Sequence, residues 1–139
     1  PMNNKTFNKI YVDAMQKSGQ PIFSRGNKGT RGMVKHLRKG GRTILLFDQK
    51  MREGKCLSFL GQPSMTTLSP AELALRFDTH LIPFFGIRND DGFSFTTIFE
   101  EPIKHTDVEN MSQQLNDRLA AQIHNSPEQW FWVHRRWKV

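Results

Sequence analysis

The sequence has little cysteine, a shortage of acidic residues and no long apolar run. Its 139 residues include one cysteine, Cys56, which excludes an internal disulfide and a multi-cysteine zinc site. Lys and Arg number 20 against 13 Asp and Glu, so the net charge of +7 predicts an anionic partner. The longest apolar stretches, "TILLF" and "LIPFFGI", fall well short of the roughly 20 residues needed to span a bilayer.

Recognised metal and phosphate motifs are also missing. None of the five histidines lies in an H-E-x-x-H motif, and no two are four positions apart. The glycines and cations of residues 24–42 could cradle a phosphate or form an ordinary solvated basic face, but they lack the P-loop spacing. The sequence therefore predicts no metal and no cofactor.

The periodicity of the remaining sequence predicts alternating helices and strands. The predicted helices cover 5–18, 31–41, 69–77, 106–126 and 127–138. The predicted strands cover 20–25, 42–50, 80–89 and 93–103, and residues 52–68 are predicted to form a loop. Ser69 and Thr106 are predicted helix caps, and "NDDG" is a hairpin signal between the last two strands. This order predicts one α/β domain over 1–139, a layered mixed sheet flanked by helices.

Two segments are candidates for binding chemistry. Asp48, Gln49, Lys50 and Arg52 follow the apolar run 44–47, where they could bind a substrate phosphate or form an ordinary polar strand exit. Near the C terminus, helical spacing predicts one face formed by Trp130, Val133, His134 and Trp137, with His134 packed between aromatic rings.

The cations beside that face, Arg135, Arg136 and Lys138, leave three interpretations open. A deeply buried helix, a membrane-interface helix and a nucleic-acid reader all use aromatic and basic residues. Because no RNP-type, zinc-finger or recognition-helix signature is present, we do not expect nucleic acid to be a partner.

Five blocks of the sequence resemble, in order, those of the lipid A late acyltransferases, the lauroyl and myristoyl transferases. The blocks are "PMNN", "LLFDQK", "FLGQPSMTTLSPAELALRF", "LIPFFGIR" and "PEQWFWVHRRWK". The resemblance covers essentially the whole chain. The terminal block and the ordered set are specific, whereas any other block alone would not be.

The resemblance implies transfer of a fatty acyl chain from acyl carrier protein to a hydroxyl of a lipid A precursor, in lipopolysaccharide biosynthesis. It also implies a location on the cytoplasmic face of the bacterial inner membrane, with an anionic membrane surface as a further partner. Substrate binding is carried over to the residues that match family blocks: Asn3, Asn4, Asp48, Gln49, Lys50, Arg135 and Arg136. Arg52 is added to this set because it follows the apolar run 44–47 together with the other polar residues.

The sequence departs from the family at its catalytic motif. The family pairs a general-base histidine with an acidic residue five positions later, and none of the five histidines here has that partner. In the family the motif precedes the Asn-Asn block. The chain starts with Pro1 and not Met, so we expect the motif and a membrane anchor to lie upstream.

This chain is therefore expected to be the C-terminal part of an acyltransferase domain, with no catalytic residue of its own and no activity alone. Two alternatives remain. One is an acyltransferase for another glycolipid or glycerolipid, and the other is a basic nucleic-acid-binding module.

Overall fold

A computed structural model describes residues 4–24, 26–50 and 53–137, which form a mixed α/β structure. It has four α-helices and two small antiparallel sheets. The chain divides into two compact units, Pro1–Ile44 and Leu45–Val139. Asn3, Arg52 and Lys138 lie outside the described residues.

The first unit contains two helices. Helix α1, Lys5–Ser18, begins at Asn4, whose side-chain oxygen accepts a hydrogen bond from the Phe7 N–H (3.0 Å). Helix α2, Asn27–Leu37, begins four residues earlier than predicted. Gly26 permits the early start because its φ of +106° is unfavourable for other residues.

The strand predicted over 20–25 is wrong for its described part, because residues 20–24 have no ladder partner in the structure. Gly29 explains how α2 can start so close to this segment. A Cβ at Gly29 would overlap the backbone carbonyl of Ser24, so this close approach requires glycine.

The strand predicted over 42–50 is also wrong, since this segment forms no ladder with any described residue. Its apolar side chains alternate between exposed and half-buried positions, so the segment is not covered on both faces. Ile44 and Leu46 are 72% and 75% exposed, whereas Leu45 and Phe47 are half-buried. Phe47 packs against the core of the second unit.

The predicted loop over 52–68 is instead a β-hairpin. Strands β1, Lys55–Phe59, and β2, Gln62–Thr66, pair from Lys55↔Thr66 to Phe59↔Gln62. Leu60 and Gly61 both have positive φ (50° and 75°), as a tight hairpin turn requires. The Gln113 side chain accepts from the Ser58 N–H (3.0 Å) and donates to the Ser58 carbonyl (2.9 Å). These two hydrogen bonds join β1 to the long helix over Val108–Asn125.

The remaining elements follow the prediction closely. Helix α3 covers Ser69–Phe77, strands β3 and β4 cover Phe84–Arg88 and Phe95–Phe99, and helix α4 covers Val108–Asn125. Their shared core consists of Ala71, Ala74, Ile103, Met111 and Leu115. Both predicted caps are off by one position. Leu68 precedes α3 without a side-chain cap, and Asp107, not Thr106, caps α4 by accepting from the Asn110 N–H.

The helix predicted over 127–138 is wrong. Pro127–Gln129 form a single 3-10 turn, and irregular turns follow it to Trp137. Trp130 and Trp137 both pack against Phe59, with ring centroids 5.8 and 5.5 Å away, as an anchoring role predicts. Val133, expected on the same face, is 76% exposed. Both tryptophans therefore reach the same partner, Phe59, from a segment that is not a helix.

Candidate functional site

The C-terminal segment is fixed by a fully buried arginine. Nη1 of Arg136 donates to Ser64 Oγ and to the Met65 carbonyl, both at 2.6 Å. In return, the Ser64 hydroxyl donates to the Arg136 carbonyl at 3.0 Å. The guanidinium also lies over the Phe59 ring, 5.0 Å from its centroid. These contacts attach the segment to the β1–β2 hairpin.

The second guanidinium nitrogen extends this network to α4. Nη2 of Arg136 lies 3.4 Å from Thr66 Oγ1 and 3.3 Å from Asn116 Oδ1. The Asn116 amide in turn donates to Thr66 Oγ1 and to the Ser58 carbonyl. Burial lowers the pKa of Arg136, and the negative charge of Asp48 opposes that decrease. Asp48 therefore supports the buried charge electrostatically from the segment that precedes β1.

Arg136 corrects the expectation for the two adjacent arginines. Both were expected to face substrate phosphates or lipid headgroups, but the Arg136 side chain is inaccessible to solvent and its partners are protein groups. Arg135 is exposed. Of the pair, Arg135 alone has the accessibility that contact with a headgroup requires.

A second long-range contact joins the two segments that the sequence singled out. The Lys50 N–H donates to Nε2 of His134 at 2.9 Å, across 84 positions of sequence. Because this ring nitrogen acts as the acceptor, the neutral imidazole carries its proton on Nδ1. His134 was expected to pack between aromatic rings on a helical face, but that helix does not form.

An open concavity of about 640 Å³ lies where these two segments meet. Its lining residues are Lys50, Phe131, Val133, His134 and Arg135. Two cationic side chains and an imidazole lie beside two apolar side chains, so the surface suits a ligand with an anionic group and an apolar part. Phe131, Val133 and His134 were not among the predicted substrate-binding residues, and Val133 and His134 were assigned to one face of a helix that does not form.

The other predicted substrate-binding residues lie in different places. Asp48 and Gln49 are exposed just before Lys50. Asn4 is in the first unit, where its side chain caps α1. The structure therefore brings Lys50 and Arg135 together, and for Asn4 it shows a local structural role. Substrate binding by any of these residues stays a prediction.

Comparison with known proteins agrees with the five sequence blocks. The family model for bacterial lipid A biosynthesis acyltransferases matches residues 1–139, and the chain belongs to this family. It is 25% identical over 147 aligned positions to a lipid A biosynthesis acyltransferase of Haemophilus influenzae, an alignment that covers 100% of this chain and 46% of the relative.

A second relative is the phosphatidylinositol mannoside acyltransferase of Mycolicibacterium smegmatis. It is 29% identical over 86 residues, which cover 62% of this chain and 28% of the relative. The chain thus spans less than half the length of either protein. In the part of the chain that the structure describes, no helix is both long and apolar enough to cross a membrane.

Proposed function

We propose that this chain is the C-terminal part of an acyltransferase that moves a fatty acyl chain from acyl carrier protein to a hydroxyl of a lipid A precursor. The observation that carries the proposal is the convergence of two family blocks, "LLFDQK" and "PEQWFWVHRRWK", at the Lys50–His134 hydrogen bond. Family membership over residues 1–139 supports the acyltransferase class. The upstream part would supply the general-base histidine and its carboxylate.

In this proposal the concavity holds the phosphorylated acceptor. Lys50 and Arg135 provide the positive charge for a phosphate, through charge-assisted hydrogen bonds. Phe131 and Val133 provide apolar contact for the hydrocarbon part of a lipid. The acceptor hydroxyl attacks the acyl carbonyl of the donor thioester, the upstream histidine takes the hydroxyl proton, and the carrier thiolate leaves.

The proposed location is the cytoplasmic face of the bacterial inner membrane, where both substrates would be accessible. The proposed partners are the acyl-acyl carrier protein, the lipid A precursor and the anionic membrane surface, without nucleic acid. An amphiphilic acceptor supports this location, because its apolar chains remain in the bilayer while its phosphate and hydroxyl groups face water.

The test uses the longer protein and compares a phosphorylated acceptor with its dephosphorylated form. Lys50→Gln and Arg135→Gln should each lower kcat/KM for the phosphorylated acceptor roughly tenfold to a hundredfold, the range for one charged hydrogen bond. Neither variant should change kcat/KM for the dephosphorylated acceptor. Lys104→Gln is the matched control, because Lys104 is exposed and does not line the concavity. Equal losses on both acceptors would show that the concavity does not bind the phosphate.

A second candidate is acyl transfer to another glycolipid, which the similarity to the phosphatidylinositol mannoside acyltransferase favours. The two candidates differ in the acceptor and share the acyl transfer step. Assaying the longer protein with a lipid A precursor and with a phosphatidylinositol mannoside, at equal donor concentration, separates them. A higher kcat/KM for the mannoside would replace the first candidate with the second.

A further inference from the structure

The C-terminal segment that lines the concavity is held at three points by residues distant in sequence. The middle point is His134, which accepts from the Lys50 N–H, and the last point is Arg136, buried against the β1–β2 hairpin. The first point is Gln129, whose side chain contacts the backbone of Arg88 in β3. Gln129 does not line the concavity, and its contact lies just before the residues that do.

Gln129 makes a pair of hydrogen bonds with a single residue of β3. Its Oε1 accepts from the Arg88 N–H at 2.8 Å, and its Nε2 donates to the Arg88 carbonyl at 3.0 Å. The side-chain amide therefore pairs with Arg88 as a neighbouring strand would, with one donor and one acceptor. Because Gln129 ends the 3-10 turn Pro127–Gln129, this contact fixes the point where the irregular segment begins.

Short backbone hydrogen bonds connect the first fixed point to the last. They join residues two or three positions apart at 2.9, 3.0 and 2.8 Å: Trp130 to Trp132, Phe131 to His134, and His134 to Arg136. Phe131, Val133 and Arg135 are exposed, so their positions depend on the backbone that carries them and not on packing of their own side chains. A displacement at the start of the segment would therefore move the side chains that line the concavity.

We propose that Gln129 is a positioning residue for the concavity. Its contact with β3 holds the start of the segment, so that His134 meets Lys50 and Arg135 lines the same concavity. The effect of Gln129 on the Lys50–His134 contact follows from this geometry alone. Its effect on the acceptor rests on the proposed function, because Gln129 does not touch the acceptor and acts through the two cations.

Gln113 offers a matched control in the same unit. Its side chain makes the same pair of hydrogen bonds, accepting from the Ser58 N–H at 3.0 Å and donating to the Ser58 carbonyl at 2.9 Å. Gln113 lies on α4, and neither it nor Ser58 lines the concavity. Gln113→Ala also removes a hydrogen bond to Asp117, so it should lower the melting temperature at least as much as Gln129→Ala does.

Amide hydrogen exchange measures the positioning directly. The Lys50 N–H is protected by its hydrogen bond to His134, so its exchange rate reports how often that contact opens. In the longer protein, Gln129→Ala should speed Lys50 exchange about threefold to tenfold, the range for loss of one hydrogen bond. Gln113→Ala should leave this rate unchanged. Equal Lys50 exchange rates in the two variants would overturn the proposal.

Acyl-transfer kinetics test the link to the acceptor phosphate. Gln129→Ala should raise KM for the phosphorylated acceptor about threefold to tenfold, with kcat and the dephosphorylated acceptor unaffected. In a Lys50→Gln, Arg135→Gln background, Gln129→Ala should have no further effect, because neither cation remains to be positioned. Gln113→Ala should leave both acceptors unaffected. Equal losses on both acceptors, or a full additional loss in that background, would contradict action through the cations.

The two measurements separate this inference from the proposed function. If Lys50→Gln and Arg135→Gln do not affect the phosphorylated acceptor while Gln129→Ala still speeds Lys50 exchange, the phosphate role of the concavity fails and the positioning stands. If the two cation variants lower kcat/KM while Gln129→Ala changes neither KM nor Lys50 exchange, the proposed function stands and the positioning fails. Melting curves check that every variant is folded at the assay temperature.

Discussion

Arg135 and Arg136 are adjacent in sequence and have opposite environments, so their substitution separates folding from binding. Arg136→Ala removes the donor for Ser64, the Met65 carbonyl and Asn116, which leaves buried acceptors unpaired. We expect the free energy of unfolding to fall by about 3 kcal/mol. Arg135→Ala should cost about 0–1 kcal/mol, as is typical of an exposed charge. Urea unfolding of both variants measures the difference, and equal losses would contradict a locking role for Arg136.

Sequence could predict the chemistry of these residues but not their accessibility. Arg135 and Arg136 look equivalent in a basic, aromatic segment, and only the contacts with β2 and Asn116 distinguish them. Asn4 is a similar case, since its match to a family block suggested substrate while its side chain caps α1. Lys50 and Arg135 were both singled out, but the hydrogen bond from Lys50 to His134 spans 84 positions and leaves no local signal.

Asp91 makes the stability of the β3–β4 hairpin depend on pH. The Ser94 hydroxyl, followed by the Ser94 and Phe93 N–H groups, donates to its carboxylate and lowers the pKa of Asp91 from its ordinary value of 3.8. A lowered folded-state pKa stabilises the fold at pH values above that ordinary value, and the contribution is lost as pH falls through the folded pKa. Asp91→Asn should therefore lower the melting temperature at neutral pH, and the difference should shrink in acid.

The neighbouring Asp90→Asn is the matched control for this measurement. Asp90→Asn makes the same change of charge in the same turn. It leaves the hydrogen bonds intact, because the Phe93 and Ser94 N–H groups donate to Asp91 and not to Asp90. If Asp90→Asn reproduces the pH dependence of Asp91→Asn, the net charge of the turn is responsible and not the hydrogen bonds of Asp91.

At the scale of elements, the β1–β2 hairpin depends on Gly61. Its φ of 75° lies in the left-handed region, where a Cβ costs roughly 1–2 kcal/mol. Gly61→Ala should lower the free energy of unfolding by about 1 kcal/mol even though nothing lies within 4 Å of the added methyl. Gly86→Ala is the control, because Gly86 is exposed in β3, has equal space and does not have a positive φ. Equal effects in chemical denaturation would rule out turn geometry as the cause.

The elements that sequence predicted well carry strong local signals, and the others do not. Pro70 and Glu72 mark the start of α3, and the turn "NDDG" marks the β3–β4 hairpin. The β1–β2 hairpin was missed because its fully buried positions include Ser64 and Thr66, which are small and polar. The segment 127–138 was misassigned because helical spacing of its aromatics is accidental, and Phe59 holds two of them from outside the segment.

At the scale of the whole molecule, this chain should have no acyltransferase activity alone. None of its five histidines is followed five positions later by Asp or Glu, and loss of a general base typically costs about 10²–10⁴ in rate. A labelled-acyl transfer assay, with host enzymes excluded, should detect no product from the 139 residues, while the longer protein that the proposed function implies serves as the positive control. Under the proposed function, we expect the 139 residues still to bind the phosphorylated acceptor, because Lys50 and Arg135 both line the concavity.

Product formation by the chain alone would contradict this prediction and would direct attention to His134. It is the one histidine that lines the concavity, but its Nε2 already accepts the Lys50 N–H, which leaves only the protonated Nδ1 for a substrate. A nitrogen that carries a proton cannot take another, so His134 could serve as a base only if that hydrogen bond broke or the tautomer changed. His134→Gln should therefore leave the rate at background. A measurable rate that His134→Gln abolishes would place the general base inside this chain.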